Sequence, residues 1–168
     1  MTSIFLLGIN ILYNFFMHEL DEKFMIEAYN EALLAFDENE VPIGAVLVNN
    51  ATHKIVARAH NKKEKDKKIT SHAEILCIEE AEKIENNWRL DNHTLYVTLE
   101  PCTMCASAII QSRISRVVFG LQEYETGGFG GKIDLTKSFN TLLVVEQFSP
   151  NDDIKNLMQK FFKNRRNI

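Results

Sequence analysis

Two short runs in the chain hold side chains able to do chemistry: Thr70-Ser71-His72-Ala73-Glu74 and Glu100-Pro101-Cys102-Thr103-Met104-Cys105. The two-residue gap between Cys102 and Cys105 lets both sulfurs of one helical turn reach a single ion. Alone, that pair reads equally as a redox dithiol. Adding His72 gives three protein ligands and leaves a fourth position for water, the stoichiometry of a catalytic rather than a structural zinc site. A closed four-cysteine site is excluded, because Cys77 is the only other cysteine. It takes a helix-interior position and reads as a core residue. Glu74, two residues from His72, could point into the site without binding the ion. A carboxylate so placed can take and return the proton of a zinc-activated water, whose pKa falls to about 7. Taken singly, Glu74 reads as a first-turn acid that favours the helix dipole.

The periodicity shows which elements must position these residues. From Leu20 to Phe36, apolar residues recur at four-residue spacing (Leu20, Phe24, Ala28, Ala32, Phe36), the mark of an amphipathic helix. Ile43–Val48 and Lys54–Ala59 flank the Asn49-Asn50 turn signal and read as a hairpin. Helical spacing returns from about Ala73 to Ile84. Thr94–Thr98 is an expected strand, Cys102–Ser112 a helix, Val117–Gly120 a strand and Leu142–Val145 a last strand. The tail carries Ile154, Leu157, Met158, Phe161 and Phe162 as an apolar stripe. Both chemical runs therefore fall at helix N-terminal ends, where unpaired N–H groups favour thiolates and developing negative charge. Alternating helices and strands with one hairpin predict an α/β layered sandwich with a mixed sheet. Trp88 and Tyr96 are expected to be core or interface residues.

Size and composition agree. The 168 residues suggest one domain, large enough to bury a core without disulfide staples. With only seven Gly, three Pro and three Cys, the chain is neither collagen-like nor a disulfide miniprotein. An odd cysteine count without a framework points to a reducing, cytoplasmic compartment. A net charge of −4 excludes a protein basic all over, but not a local basic patch. The uncharged run Met1–Phe16 is too short for a bilayer span and is interrupted by Asn10 and Asn14. It is expected to be translated upstream sequence, with the biological start at Met17, or else an extra apolar helix. The catalytic unit is expected over residues 17–168, with no membrane association.

The combination His-X-Glu with Pro-Cys-X-X-Cys is the signature of zinc nucleobase deaminases. The chain resembles the bacterial tRNA-specific adenosine deaminases more closely than that signature requires. The resemblance lies in Val41-Pro42-Ile43-Gly44-Ala45-Val46-Leu47-Val48, His72-Ala73-Glu74-Ile75 and Thr94 through Ala106. It continues in Ser112-Arg113-Ile114, Arg116-Val117-Val118-Phe119-Gly120 and the tail Phe161-Phe162 with Arg165-Arg166. It implies a cytidine deaminase-like, three-layer α/β/α sandwich around a mixed five-stranded sheet, and a homodimer. One Zn2+ per subunit would be held by His72, Cys102 and Cys105, with Glu74 catalytic and Asn61 touching the substrate nucleoside. The implied reaction is hydrolytic deamination of the wobble adenosine in a tRNA anticodon stem-loop to inosine. Three segments depart from the family pattern: Lys68-Ile69, Glu123-Tyr124-Glu125-Thr126-Gly127 and Asn140-Thr141.

An RNA partner needs phosphate contacts. The last fourteen residues hold Lys155, Lys160, Lys163, Arg165 and Arg166 and no acid, and Lys62, Lys63, Lys65, Lys67 and Lys68 form a second cluster. The rival reading is a deaminase of a free nucleobase or nucleoside (cytosine, guanine or cytidine), which keeps the metal site and has no need of a basic tail. A noncatalytic RNA-binding module with structural zinc is a third.

Overall fold

The computed structural model describes the backbone of residues 2–166 and the side chains of residues 17–166. The reading of Met1–Phe16 as an extension concerns side chains outside the described residues.

Helix α1 (Thr2–Asp37) leads to the hairpin β1 (Gly44–Asn49) and β2 (Lys54–His60). The hairpin turns where expected, because Asn49 Oδ1 accepts the N–H groups of Ala51 and Thr52 at 3.0 and 3.1 Å. A one-turn helix α2 (Lys63–Asp66) follows, then α3 (Ala73–Glu85), β3 (His93–Leu99), α4 (Thr103–Gln111) and β4 (Arg116–Leu121). A 3-10 turn at Leu135–Lys137, β5 (Val144–Gln147) and α5 (Asp152–Arg166) complete the order. The five strands form one sheet in the order β2-β1-β3-β4-β5. β1 is antiparallel to both neighbours, while β3, β4 and β5 run parallel.

Strand alternation sorts the core into two layers. Ala45, Leu47, Leu95, Val97, Val117 and Phe119 meet Ala73, Cys77, Ile78, Ile109 and Ile110 of α3 and α4. Val46, Val48, Tyr96 and Val118 point the other way, onto Phe24, Met25 and Ala28 of α1 and Ile154 of α5. This is the expected α/β/α sandwich around a mixed five-stranded sheet. Tyr96 and Cys77 are buried as expected, but Trp88 is 55% exposed. Asn86 takes a left-handed conformation at the end of α3, and the segment after it runs over the surface. The last strand also starts two residues late: pairing begins at Val144, and Leu142 is 97% exposed.

The register fixes where a site can form. Gly44 pairs with His60 and Ala45 with Val97, so the start of β1 and the ends of β2 and β3 share one edge of the sheet. Leu99 pairs in parallel with Leu121, which brings the end of β4 to that edge. Asn61 follows β2 there, and Cys102 follows β3. Among the described residues, no helix is long and apolar enough to cross a membrane.

Candidate active site

His72 and Cys102 occupy the N-cap positions of α3 and α4, and neither side chain caps its helix. Their side chains instead turn toward each other. His72 Nδ1 stands 3.7 Å from Cys102 Sγ and 3.5 Å from Cys105 Sγ. The three ligand atoms all lie within 4.8 Å of one another. Zinc bonded at about 2.3 Å to sulfur and about 2.0 Å to nitrogen makes a tetrahedron with S···N edges of about 3.5 Å. Two thiols and an imidazole at that spacing fit a zinc ion.

Electrostatics agrees with the donor set. Hydrogen bonds from Cys105 and His72 pull the Cys102 thiol down to about 4. The same sharing with Cys102, and burial, push Cys105 up. The hydrogen bond to Cys102 raises His72. A thiolate at Cys102 is thus already favoured at the N-terminal end of α4.

Glu74 lies in the first turn of α3 and is 3% exposed. Its Oε2 is buried with no hydrogen-bond partner. Burial pushes this carboxyl up from 4.5 to about 7, and the nearby Cys102 adds to the rise. A buried carboxyl with one unpartnered oxygen, beside the three donor atoms, is placed to move a proton at that oxygen. Asn61 is buried, and its Oδ1 accepts the N–H of Ala73 at 2.9 Å. This satisfies a helix-start donor that His72 leaves unpaired.

A cavity of about 280 Å³ opens over these residues, lined by Asn61, His72, Glu74 and Cys102 together with residues the sequence did not assign to the catalytic pocket. Val41, Ile43 and Leu99 give apolar walls, Lys63 comes from α2, and Met158 and Phe162 come from α5. The tail stripe thus splits: Ile154, Leu157 and Phe161 are buried, while Met158 and Phe162, a step around the helix, face the cavity. Their i, i+4 spacing beside the buried stripe was the available signal. Of the three segments that depart from the family pattern, only Glu123–Gly127 reaches the cavity wall, through Glu123 and Thr126.

That wall is held by Glu100, which is 2% exposed. Its carboxylate accepts the N–H groups of Glu123 (2.9 Å), Phe129 (2.8 Å) and Gly131 (3.0 Å), and the side-chain amide of Gln122. A Cβ at Gly127 or Gly131 would stand 2.5 or 2.4 Å from Glu100 Oε2, so the loop closes on the carboxylate only with glycine there.

Residues 18–121 match the family model of the cytidine and deoxycytidylate deaminase zinc-binding region. The chain belongs to this zinc-binding deaminase family. The matched segment contains His72, Glu74, Cys102 and Cys105. Within this deaminase family the chain is 43% identical over 148 residues to the tRNA-specific adenosine deaminase of Bacillus subtilis (strain 168), covering 87% of this chain and 91% of that protein. It is 41% identical over 150 residues to the tRNA-specific adenosine deaminase of Haemophilus influenzae, covering 88% of this chain and 86% of that one. A solved structure from studies of A-to-I editing by tRNA:A34 deaminases at the wobble position superimposes with a TM-score of 0.77 at 35% identity. It covers 81% of this chain and 99% of that one.

Proposed function

We propose that the chain hydrolyses the wobble adenosine of a tRNA to inosine, releasing ammonia. The observation that carries the reading is the unpartnered Glu74 Oε2 beside the His72, Cys102 and Cys105 donors, under a cavity walled by the basic helix α5. The likeness to two tRNA-specific adenosine deaminases across most of their length supports the choice of substrate.

Zinc held by His72, Cys102 and Cys105 would lower the pKa of a water to about 7. Glu74 takes a proton from the attacking water at its free oxygen and passes protons on so that ammonia leaves C6 of adenine. Asn61 contacts the nucleoside through its Nδ2, because its carbonyl is committed to Ala73. The apolar walls Val41, Ile43 and Leu99 exclude bulk water from the base. An unpaired anticodon loop suits this chemistry, since a base already out of a stack costs less to flip.

Residues 17–168 are proposed as one catalytic unit with residues 1–16 outside it, a division supported by a family match that starts at residue 18. A homodimer is proposed with it. Ile69, Trp88, Tyr124 and Leu142, each more than half exposed, are apolar surface that a second copy could cover. A cytoplasmic site of action is proposed from the free thiols of Cys77, Cys102 and Cys105.

The test is a deamination assay of the purified protein on an arginine anticodon stem-loop with a wobble adenosine, beside free cytosine, guanine and cytidine. Inosine in the stem-loop alone is expected, lost with Glu74→Gln and on chelation, and restored by zinc at about one ion per chain. Turnover of a free base with an untouched stem-loop would sink the tRNA reading and favour the small-molecule one.

A further inference from the structure

The turn that ends α1 touches both walls of the cavity. Asn39 takes a left-handed conformation at φ 60°, and the chain reverses into Glu40, which is 1% exposed. Across the turn, α2 has only four residues, none of them buried, and its N-cap residue Lys62 makes no side-chain cap. A helix of one turn has paid its nucleation cost without the hydrogen bonds that would repay it, and a lysine has no oxygen to offer.

Glu40 supplies the missing acceptor from a distance. Its carboxylate accepts the N–H of Glu64 at 3.2 Å and of Lys65 at 2.7 Å, the second and third positions of α2. These are the donors a good N-cap side chain would satisfy. On the opposite wall, Arg165 Nη2 donates to the carbonyl of Asn39 at 2.7 Å, and Phe161 packs on Phe36 at 6.2 Å between ring centroids. One turn therefore holds α2, which places Lys63 at the cavity, and α5, which places Met158 and Phe162 there.

We infer that Glu40 is a positioning residue for the RNA substrate: by capping α2 from outside, it fixes the Lys63 ammonium at the cavity mouth, where a substrate phosphate arrives. The inference rests on the tRNA reading above. Glu40 touches neither the metal ligands nor Glu74, so its effect falls on substrate binding rather than on the chemical step.

The experiment is a double-mutant cycle on the full chain, read with the anticodon stem-loop. Glu40→Ala raises KM about tenfold or more while kcat stays within about threefold and zinc content is unchanged. Glu40→Gln keeps one acceptor oxygen and gives an intermediate KM, which preserves the test should the alanine variant fold poorly. Lys63→Gln, at an exposed position, raises KM by itself and lowers the slope of log KM against log salt by about one. Because Glu40 acts through Lys63, adding Glu40→Ala to Lys63→Gln raises KM little further. A Glu40→Ala variant with wild-type KM, or KM increases that multiply fully in the double variant, would overturn the inference alone. A wild-type protein that leaves the stem-loop untouched overturns the tRNA reading and this inference with it.

Discussion

The side-chain carbonyl of Asn61 accepts the backbone N–H of Ala73 at 2.9 Å, a single bond that joins the exit of β2 to the first turn of α3. The loop between them begins with a residue that lines the cavity and ends with His72, one of the three proposed metal ligands. Asn61 therefore has two separable tasks: its oxygen holds the helix that presents His72 and Glu74, and its amide nitrogen is left for the nucleoside. Asn61→Asp keeps the oxygen and loses the nitrogen, while Asn61→Ala loses both. The alanine variant is expected to be less stable by about 1–3 kcal/mol, the cost of leaving a buried donor unmatched. The aspartate variant should melt close to wild type, yet both should lose about tenfold or more in kcat/KM. Thermal melts beside stem-loop kinetics separate the tasks; an aspartate variant with full activity would remove Asn61 from substrate contact.

Glu74 makes the stability of the chelator-stripped protein depend on pH. Its carboxyl is raised from 4.5 to about 7 in the folded chain, burial being the main cause. Below pH 4.5 the group is neutral in both the folded and the unfolded chain, and nothing is lost. As pH rises from 4.5 to about 7 the unfolded chain gives up the proton first, so folded stability falls through that window and levels above it. A shift of this size corresponds to about 3 kcal/mol. Glu74→Gln does not titrate, so the stripped variant should match stripped wild type at pH 4 and exceed it at pH 8. Denaturant melts of both proteins across that range check the sign. Equal stability at both ends would mean that the carboxyl is not desolvated.

The elements and the cluster of donor side chains were legible in the sequence because each is written locally. The four-residue spacing from Leu20 to Phe36 marks the face of α1 that covers Val46 and Val48, and two Cys at the head of α4 announce their own geometry. What was not legible depends on groups distant along the chain. Helix α2 has no apolar residue to show a period and takes its cap from Glu40. The acidic residue before Pro101 gives no sign that it will gather donors from Gln122, Glu123, Phe129 and Gly131. Leu142 extends an apolar run and so reads as strand, but β5 starts to pair with β4 only at Val144. Met158 and Phe162 look like core until α5 is docked and the cavity is seen beside it.

Away from the cavity, Asp21 ties α1 to the sheet. Its two carboxylate oxygens each accept from Arg116 at 2.7 Å, and Tyr96 Oη donates to it at 2.7 Å. Arg116 also donates from Nε to Glu146 at 2.5 Å. Asp21→Ala leaves a largely buried guanidinium with a single carboxylate partner and is expected to cost about 3 kcal/mol. In a chain of this size that lowers Tm by roughly 6–12 °C. None of these residues lines the cavity, so kcat and KM below the melting transition should not change. Asp21→Ala combined with Arg116→Met should recover part of the loss, since it removes the stranded charge; a double variant no more stable than the single one would argue against that cause.

The basic tail divides by what each cation already does. Arg165 is engaged with the Asn39 carbonyl and lies over the Phe161 ring at 4.8 Å, and Lys160 stands over the Phe36 ring at 5.2 Å. Lys163 and Arg166 instead line a surface hollow with Met158 and Phe162, next to the cavity mouth. Truncating the tail would confuse these roles, because Ile154, Leu157 and Phe161 are buried in the fold. Charge substitution keeps them apart. Lys163→Gln with Arg166→Gln should raise the stem-loop KM, lower the slope of log KM against log salt by about two, and leave Tm unchanged. Arg165→Gln should instead lower Tm, with little effect on that slope. If the double variant keeps the wild-type salt slope, α5 serves as a cavity wall alone and the phosphates are met elsewhere, with the lysines around α2 the next to substitute.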